Sequence, residues 1–194
     1  EELKKTNIKN KYLLSDDRKI KKLACKFNLS TDYFRPKKIS KGTTSLSETL
    51  LHFHQWTKSK KIAYDYIIVL QPTSPLRSYK DIIRAVNIVL KKKCKSLFSV
   101  SESIVHPYES IKILSNKKWK YVLPKSSLYY RRQDFDFKSH FINGAIYIIH
   151  RELIIKKKIY DKKNHSVMNM PKLRSIDIND LNEIKLAEAL LKTK

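Results

Sequence analysis

The run Ile67-Ile68-Val69-Leu70, followed at once by Gln71-Pro72-Thr73-Ser74-Pro75-Leu76-Arg77, constrains the fold more than any other stretch. Four consecutive aliphatic residues read as a strand covered on both faces, and open parallel sheets bind ligands beyond the carboxyl ends of such strands. Pro72 and Pro75 each fix a φ angle and remove a backbone donor, so the segment cannot extend the ladder. Gln71, Thr73, Ser74 and Arg77 are thereby held in few directions, as a binding loop requires.

The rest of the chain alternates. Lys11 to Leu14 is a short strand candidate, and Ser15-Asp16-Asp17 offers caps for a helix running to about Phe27. Ser45-x-x-Glu48 matches a capping box, with Leu46, Leu50, Leu51, Phe53 and Trp56 as the apolar face of a second helix. Strand Tyr66 to Leu70, helix Tyr79 to Leu90 and strand Ser96 to Val100 follow. Such alternation predicts an α/β fold, a three-layer sandwich around a mainly parallel sheet. Residues 105–141 break the pattern with Tyr108, Trp119, Tyr121, Tyr129, Tyr130, Phe135 and Phe137 in short irregular pieces. They read as an excursion with short antiparallel strands, whose aromatics suit a subunit interface. Phe141 to Ile149 reads as a core strand, followed by a helix near Glu152 to Lys158, a strand near Val167 to Met170, and a helix from Asp180 to Leu191. Leu181, Ile184, Ala187, Leu190 and Leu191 share one side of that last helix.

At 194 residues and 41% hydrophobic composition, the chain is expected to form a single domain. No apolar run reaches the roughly 18 residues of a membrane span, and the start lacks signal-peptide character, so a soluble cytoplasmic protein is expected. The formal charge of +24 raises the question of nucleic acid, but only eight of 42 basic residues are Arg, and the lysines are scattered through every segment. A nucleic-acid role is therefore not expected, whereas attraction of small anionic substrates is compatible with the charge. Cys25 and Cys94 have no metal spacing and read as packing residues. The two glycines, Gly42 and Gly144, exclude a P-loop and a GxGxxG turn. Gly42 reads as a turn residue; Gly144, inside an apolar strand, marks close approach of a ligand or a neighbour.

Three segments go beyond generic α/β character: Leu70 to Arg77; Arg131-Arg132-Gln133-Asp134-Phe135 followed by Asn143-Gly144-Ala145-Ile146-Tyr147; and Ser175-Ile176-Asp177-Ile178-Asn179. In this order and spacing they resemble the acylneuraminate cytidylyltransferases, the CMP-sialic acid synthetase family. Phe34-Arg35-Pro36 with Gly42-Thr43-Thr44-Ser45 is similar to that family's segment after its second strand. The resemblance implies a Rossmann-like nucleotidyltransferase that joins CMP from CTP to the anomeric hydroxyl of a nine-carbon α-keto sugar acid, releasing pyrophosphate with Mg²⁺ as cofactor. By the same resemblance, Asp177 and Arg132 are the catalytic candidates. Gln71, Thr73, Ser74, Arg77, Arg132, Asn143, Gly144 and Tyr147 are the substrate-binding set. Arg35, Thr43, Thr44 and Ser45 approach the nucleotide, and Asp177 with Asn179 forms the metal site. Residue chemistry supports part of this, since a guanidinium binds carboxylate bidentately and a strand-end carboxylate suits Mg²⁺. Each has a rival reading: Arg132 as a surface arginine, though an arginine in an Arg-Arg pair beside an aromatic segment fits a carboxylate clamp better; Tyr147, taken alone, as a core aromatic; and Asp177 as a strand terminator.

The sequence departs from the family pattern in three places. The chain starts inside what resembles the tail of the family's first helix, without the first strand and its phosphate-binding loop, so activity of these 194 residues alone is doubtful. The alternative reading is an inactive homologue that acts through binding or dimerisation. Asn179 replaces a usual carboxylate, which lowers the charge available to a cation. Glu109, after His106-Pro107-Tyr108, would repel a sugar carboxylate but can accept hydrogen bonds from the amides of a diamino sugar acid. Legionaminic-type and pseudaminic-type acids therefore stay open beside sialic acid, and a homodimer through residues 105–141 is expected.

Overall fold

The computed structural model describes residues 1–115, 118–123, 133, 135 and 137–192. Helix α1 spans Arg18–Cys25, where Asp17 accepts hydrogen bonds from the backbone N–H groups of Lys19 and Ile20. Helix α2 spans Leu46–Ser59 and begins with the reciprocal capping box between Ser45 and Glu48 that the spacing predicts. Strand β1 (Tyr66–Val69), helix α3 (Tyr79–Lys92) and strand β2 (Ser96–Glu102) follow. A small hairpin of β3 (Ile111–Ile113) and β4 (Trp119–Tyr121) leads to the long strand β5 (His140–His150). Helix α4 (Arg151–Ile155), strand β6 (His165–Asn169) and helix α5 (Leu181–Lys192) complete the chain.

The main sheet has the order β1-β5-β2-β6. Strands β1, β2 and β6 share one direction, and β5 runs against them between β1 and β2. The sheet is thus mixed but largely parallel in strand direction, and it carries helices on both faces. Successive residues of β5 point to opposite sides, as strand geometry demands. Ile146 and Ile148 join Ile82, Ala85 and Val89 of α3 with Leu97, Met168 and Met170. Ile149 meets Leu50 of α2 and Leu153 and Ile154 of α4, with Tyr147 packed at the edge of that cluster. Apolar cover on both faces explains the near-continuous apolar reading of these strands.

Several expectations shift in detail. Strand β1 is half-buried rather than fully covered, because it is the edge of this sheet. The candidate strand at Lys11 to Leu14 forms a single bridge, Tyr12 to Ser30. Its layer is held by aromatic packing instead: Tyr12 and Tyr33 lie edge-on against Phe53 and Trp56 of α2. Burial raises the Tyr33 phenol to about 12, and its hydroxyl pairs with His52 Nδ1 at 2.9 Å. Cys94 is buried as a packing residue, but Cys25 is exposed. On α5 only Ala187 is buried, so the shared apolar side of that helix faces solvent over most of its length.

Candidate functional site

The loop after β1 is built as its prolines require. Ser74 N–H closes a turn onto the Gln71 carbonyl at 3.3 Å, and the Ser74 side chain is fully buried. Arg77 ends the loop by turning inward. One of its nitrogens, Nη1, donates to the carbonyls of Gln71 at 2.8 Å and Ala145 at 2.9 Å, which ties the loop to β5. Burial lowers the Arg77 guanidinium to about 10, so it stays cationic at neutral pH. Ser78 then caps α3 in a second capping box, with Asp81 as its carboxylate.

Opposite this loop β5 bulges. Pairing with β2 runs from Phe98 and Tyr147 directly to Val100 and Ile142, so Asn143, Gly144 and Ala145 form extra length on β5. Ser99 holds the bulge: its Oγ accepts from Ile146 N–H at 2.8 Å and donates to Asn143 Oδ1 at 2.6 Å. Asn143 is 1% exposed; its Oδ1 also accepts from Ala145 N–H, and its Nδ2 donates to Ser175 Oγ at 2.9 Å. Gly144 takes φ +71°, and a Cβ there would stand 2.6 Å from Gln71 Oε1. The close approach read from the sequence is therefore that of a neighbour, the Gln71 side chain.

The third piece is the segment after β6. Ser175 receives the Asn143 amide and donates to the Pro171 carbonyl at 2.9 Å. Ile178 N–H donates to the Thr73 carbonyl at 2.7 Å, so this segment is stitched to the loop as well as to β5. Between those two anchors sits Asp177, whose Oδ1 is buried without a hydrogen-bond partner. Its carboxylate lies near Tyr147, whose phenol is raised above its ordinary value first by burial and then by the Asp177 charge. Asn179 follows, exposed, with Nδ2 donating to the Asp177 carbonyl.

Gln71, Thr73, Ser74, Arg77, Asn143, Gly144, Tyr147, Asp177 and Asn179 thus belong to one connected group. Within it, Ser74, Arg77 and Asn143 build the walls through bonds to protein atoms, while Asp177 and Tyr147 carry the polar atoms left for other work. Arg35 and the turn 43–45 make local bonds instead. Arg35 reaches Asp16 and Ser40, both at 3.1 Å, Thr44 N–H bonds the Lys41 carbonyl, and Ser45 is occupied in its capping box. Arg131 and Arg132 lie outside the described residues. Glu109 accepts from His106 N–H as a cap of its own turn. Sequence reading missed Ser99, although a serine inside an apolar strand signals a buried partner, and it missed the Asp81–Arg174 pair, which only the fold brings together.

Asp177 fits a hard divalent cation, since a buried carboxylate oxygen lacking a donor suits one and Mg²⁺ takes few protein ligands beside water and phosphate. Among the described residues, no group of three or more His, Cys, Asp or Glu side chains is placed to hold a metal ion. No helix there is long and apolar enough to cross a membrane.

No family model matches the chain. It is 24% identical over 191 residues to post-translational flagellin modification protein B of Campylobacter coli, covering 96% of this chain and 79% of that protein. It is 25% identical over 181 residues to a pseudaminic acid cytidylyltransferase of Campylobacter jejuni subsp. jejuni serotype O:2, covering 93% and 77%. With the CMP-N,N'-diacetyllegionaminic acid synthase of Legionella pneumophila subsp. pneumophila it shares 27% over 183 residues, covering 91% and 75%. Among solved structures, a CMP:2-keto-3-deoxy-manno-octonic acid synthetase complexed with CTP aligns with TM-score 0.62 at 11% identity, covering 97% of this chain and 83% of that one. The 4-diphosphocytidyl-2C-methyl-D-erythritol synthase of Anaerococcus prevotii aligns with TM-score 0.58 at 15% identity, covering 91% and 77%. These two likenesses bear out the predicted Rossmann-like α/β fold.

Proposed function

We propose, from the chain's kinship with the CMP-sialic acid synthetase-like cytidylyltransferases, that it is a nucleotidyltransferase that moves CMP from CTP to a nine-carbon α-keto sugar acid. The sugar's anomeric oxygen would bond to the α-phosphorus of CTP as the bridging bond to the β-phosphate breaks and pyrophosphate leaves. The observation that carries this reading is the convergence of the Gln71 to Arg77 loop, the β5 bulge and Asp177 at one place. A relative's name alone supplies no such geometry.

Each residue's part follows from its state. The Tyr147 phenol, raised by burial and by Asp177, stays protonated at neutral pH and is available to donate to an anionic sugar. Gln71, pressed over Gly144, presents an amide at the mouth of the loop. Asp177 would hold Mg²⁺, with Asn179 adjacent. A bound Mg²⁺ supplies charge stabilisation to the phosphates during transfer. Substrates of the diamino type, pseudaminic or legionaminic, are favoured over sialic acid by the relatives' names. We also propose a homodimer through the excursion, where Val105, Ile113, Trp119, Val122 and Phe141 are exposed apolar residues that a partner copy could cover.

The test is product analysis by mass spectrometry after incubation with CTP, Mg²⁺ and a panel of pseudaminic, legionaminic, sialic and ketodeoxyoctulosonic acids. A CMP adduct of a diamino nine-carbon acid, formed in preference to the others, is expected. Preference for the eight-carbon acid would contradict the substrate class.

A further inference from the structure

We propose that Ser99 is a positioning residue that, through the β5 bulge, seats the Gln71 amide of the loop after β1. Ser99 is fully buried on β2 between Phe98 and Val100, which keep their partners Tyr147 and Ile142 on β5. The β5 residues Asn143 to Ile146 therefore stand opposite Ser99 alone. A ladder interrupted in this way leaves backbone groups that other atoms must satisfy. The Ser99 hydroxyl does so at both ends of the bulge: Oγ accepts from Ile146 N–H at 2.8 Å and donates to Asn143 Oδ1 at 2.6 Å. A hydroxyl has one proton to give, and the Ile146 carbonyl, at 3.2 Å, is the more distant acceptor. The Asn143 amide is held against turning over, because Oδ1 also accepts from Ala145 N–H while Nδ2 donates to Ser175 Oγ, whose own proton goes to the Pro171 carbonyl.

The bulge in turn meets the loop residue by residue. The Asn143 carbonyl accepts from Ser74 Oγ at 3.4 Å, Gly144 leaves the space against which the Gln71 side chain lies, and the Ala145 carbonyl accepts from Arg77 Nη1 at 2.9 Å. A Cβ at Gly144 would come within 2.6 Å of Gln71 Oε1, so any change in the path of the bulge moves the surface on which that amide rests. The Ser99 hydroxyl bonds to Asn143 and Ile146 and not to the loop, so its effect on Gln71 passes through the bulge. Ser101 offers the comparison. It is equally buried on the same strand, two residues on and hence on the same face, but its hydroxyl donates to the Met170 carbonyl at 3.2 Å, after β6.

The inference rests on the loop's place in the proposed transferase site, but its test is read in the ligand-free protein, so failure of transfer would not be confused with failure of the inference. The protein is labelled with ¹⁵N, and the two side-chain amide proton resonances of Gln71 are assigned by their loss in Gln71→Leu. Ser99→Ala is expected to displace those resonances and to speed hydrogen exchange at Ile146 N–H by at least about tenfold, since that donor loses its acceptor. Ser99→Cys, whose thiol is a weaker donor and acceptor, is expected to displace them less. Ser101→Ala is expected to leave the Gln71 resonances in place although it too removes a buried hydroxyl. A serine that only stabilises the fold would lower the melting temperature in Ser99→Ala and leave the Gln71 resonances at their wild-type positions, which overturns the proposal. Equal displacement in Ser101→Ala overturns it as well, because the effect would then be general loosening of β2. If Ser99→Ala does not fold, the presence or absence of displacement in Ser99→Cys decides.

Discussion

Gly144 has two independent reasons to be glycine. Its φ of +71° lies in the left-handed region, and an added Cβ would meet Gln71 Oε1 at 2.6 Å. Gly144→Ala should therefore destabilise the protein by roughly 1–2 kcal/mol from backbone strain alone, and it should push the Gln71 amide out of place. Denaturant unfolding measures the first effect; weakened sugar-acid binding by calorimetry measures the second. At this scale the sequence was partly legible. A glycine inside an apolar strand announces close approach, but which atom approaches depends on a loop more than seventy residues earlier. Asn143 shows the limit from the other side. Its place in a motif marked it for substrate, yet Ser99, Ala145 and Ser175 take up its amide, and only the bulged register of β5 brings them there.

Among the elements, a two-armed ion pair between Arg174 and Asp81 joins the start of α3 to the turn after β6. Burial pushes the Asp81 carboxyl up, but hydrogen bonds from Arg174 and Ser78 and the Arg174 charge outweigh it, leaving the group below its ordinary value. A depressed folded-state value means that this contribution to stability is complete above the unfolded value of about 4 and is lost as pH falls through the folded one. Unfolding midpoints measured from pH 7 to pH 2 should fall on the acid side, and Asp81→Asn should flatten that limb. At pH 7 the same variant should lose about 3 kcal/mol, the low end for a buried pair because Arg174 is 32% exposed on its side chain. The capping boxes at Ser45 and Ser78 follow rules of local spacing, and the first of them was read directly from the chain. The reversed direction of β5 was not legible, because periodicity records which faces are covered and says nothing of strand direction. Nor was the exposure of α5, whose apolar side looks the same in sequence whether or not anything covers it.

For the molecule as a whole, the described polar groups of the site meet at the β5 bulge, whereas β3 and β4 form a separate two-stranded sheet whose residues are exposed. If that surface joins two copies, sedimentation velocity should show a dimer, and Trp119→Asp, at a residue 56% exposed in the single chain, should shift the protein toward a monomer that stays folded and loses the concentration dependence of its melting temperature. A monomer at high concentration would contradict the proposed pairing. The α/β layering was legible from alternating strands and helices, and the loop with its two prolines was legible from rigidity. The assembly of loop, bulge and Asp177 was carried by motif resemblance, because sequence distance hides which segments meet. The measurement that bears most directly on this account is pyrophosphate release from CTP and a diamino nonulosonic acid, comparing the protein with its Asp177→Asn variant at equal folded fraction. The account predicts release that depends on both substrates and falls at least about a hundredfold in the variant, in line with removal of a group that stabilises transition-state charge. Release that is unaffected by Asp177→Asn would contradict it.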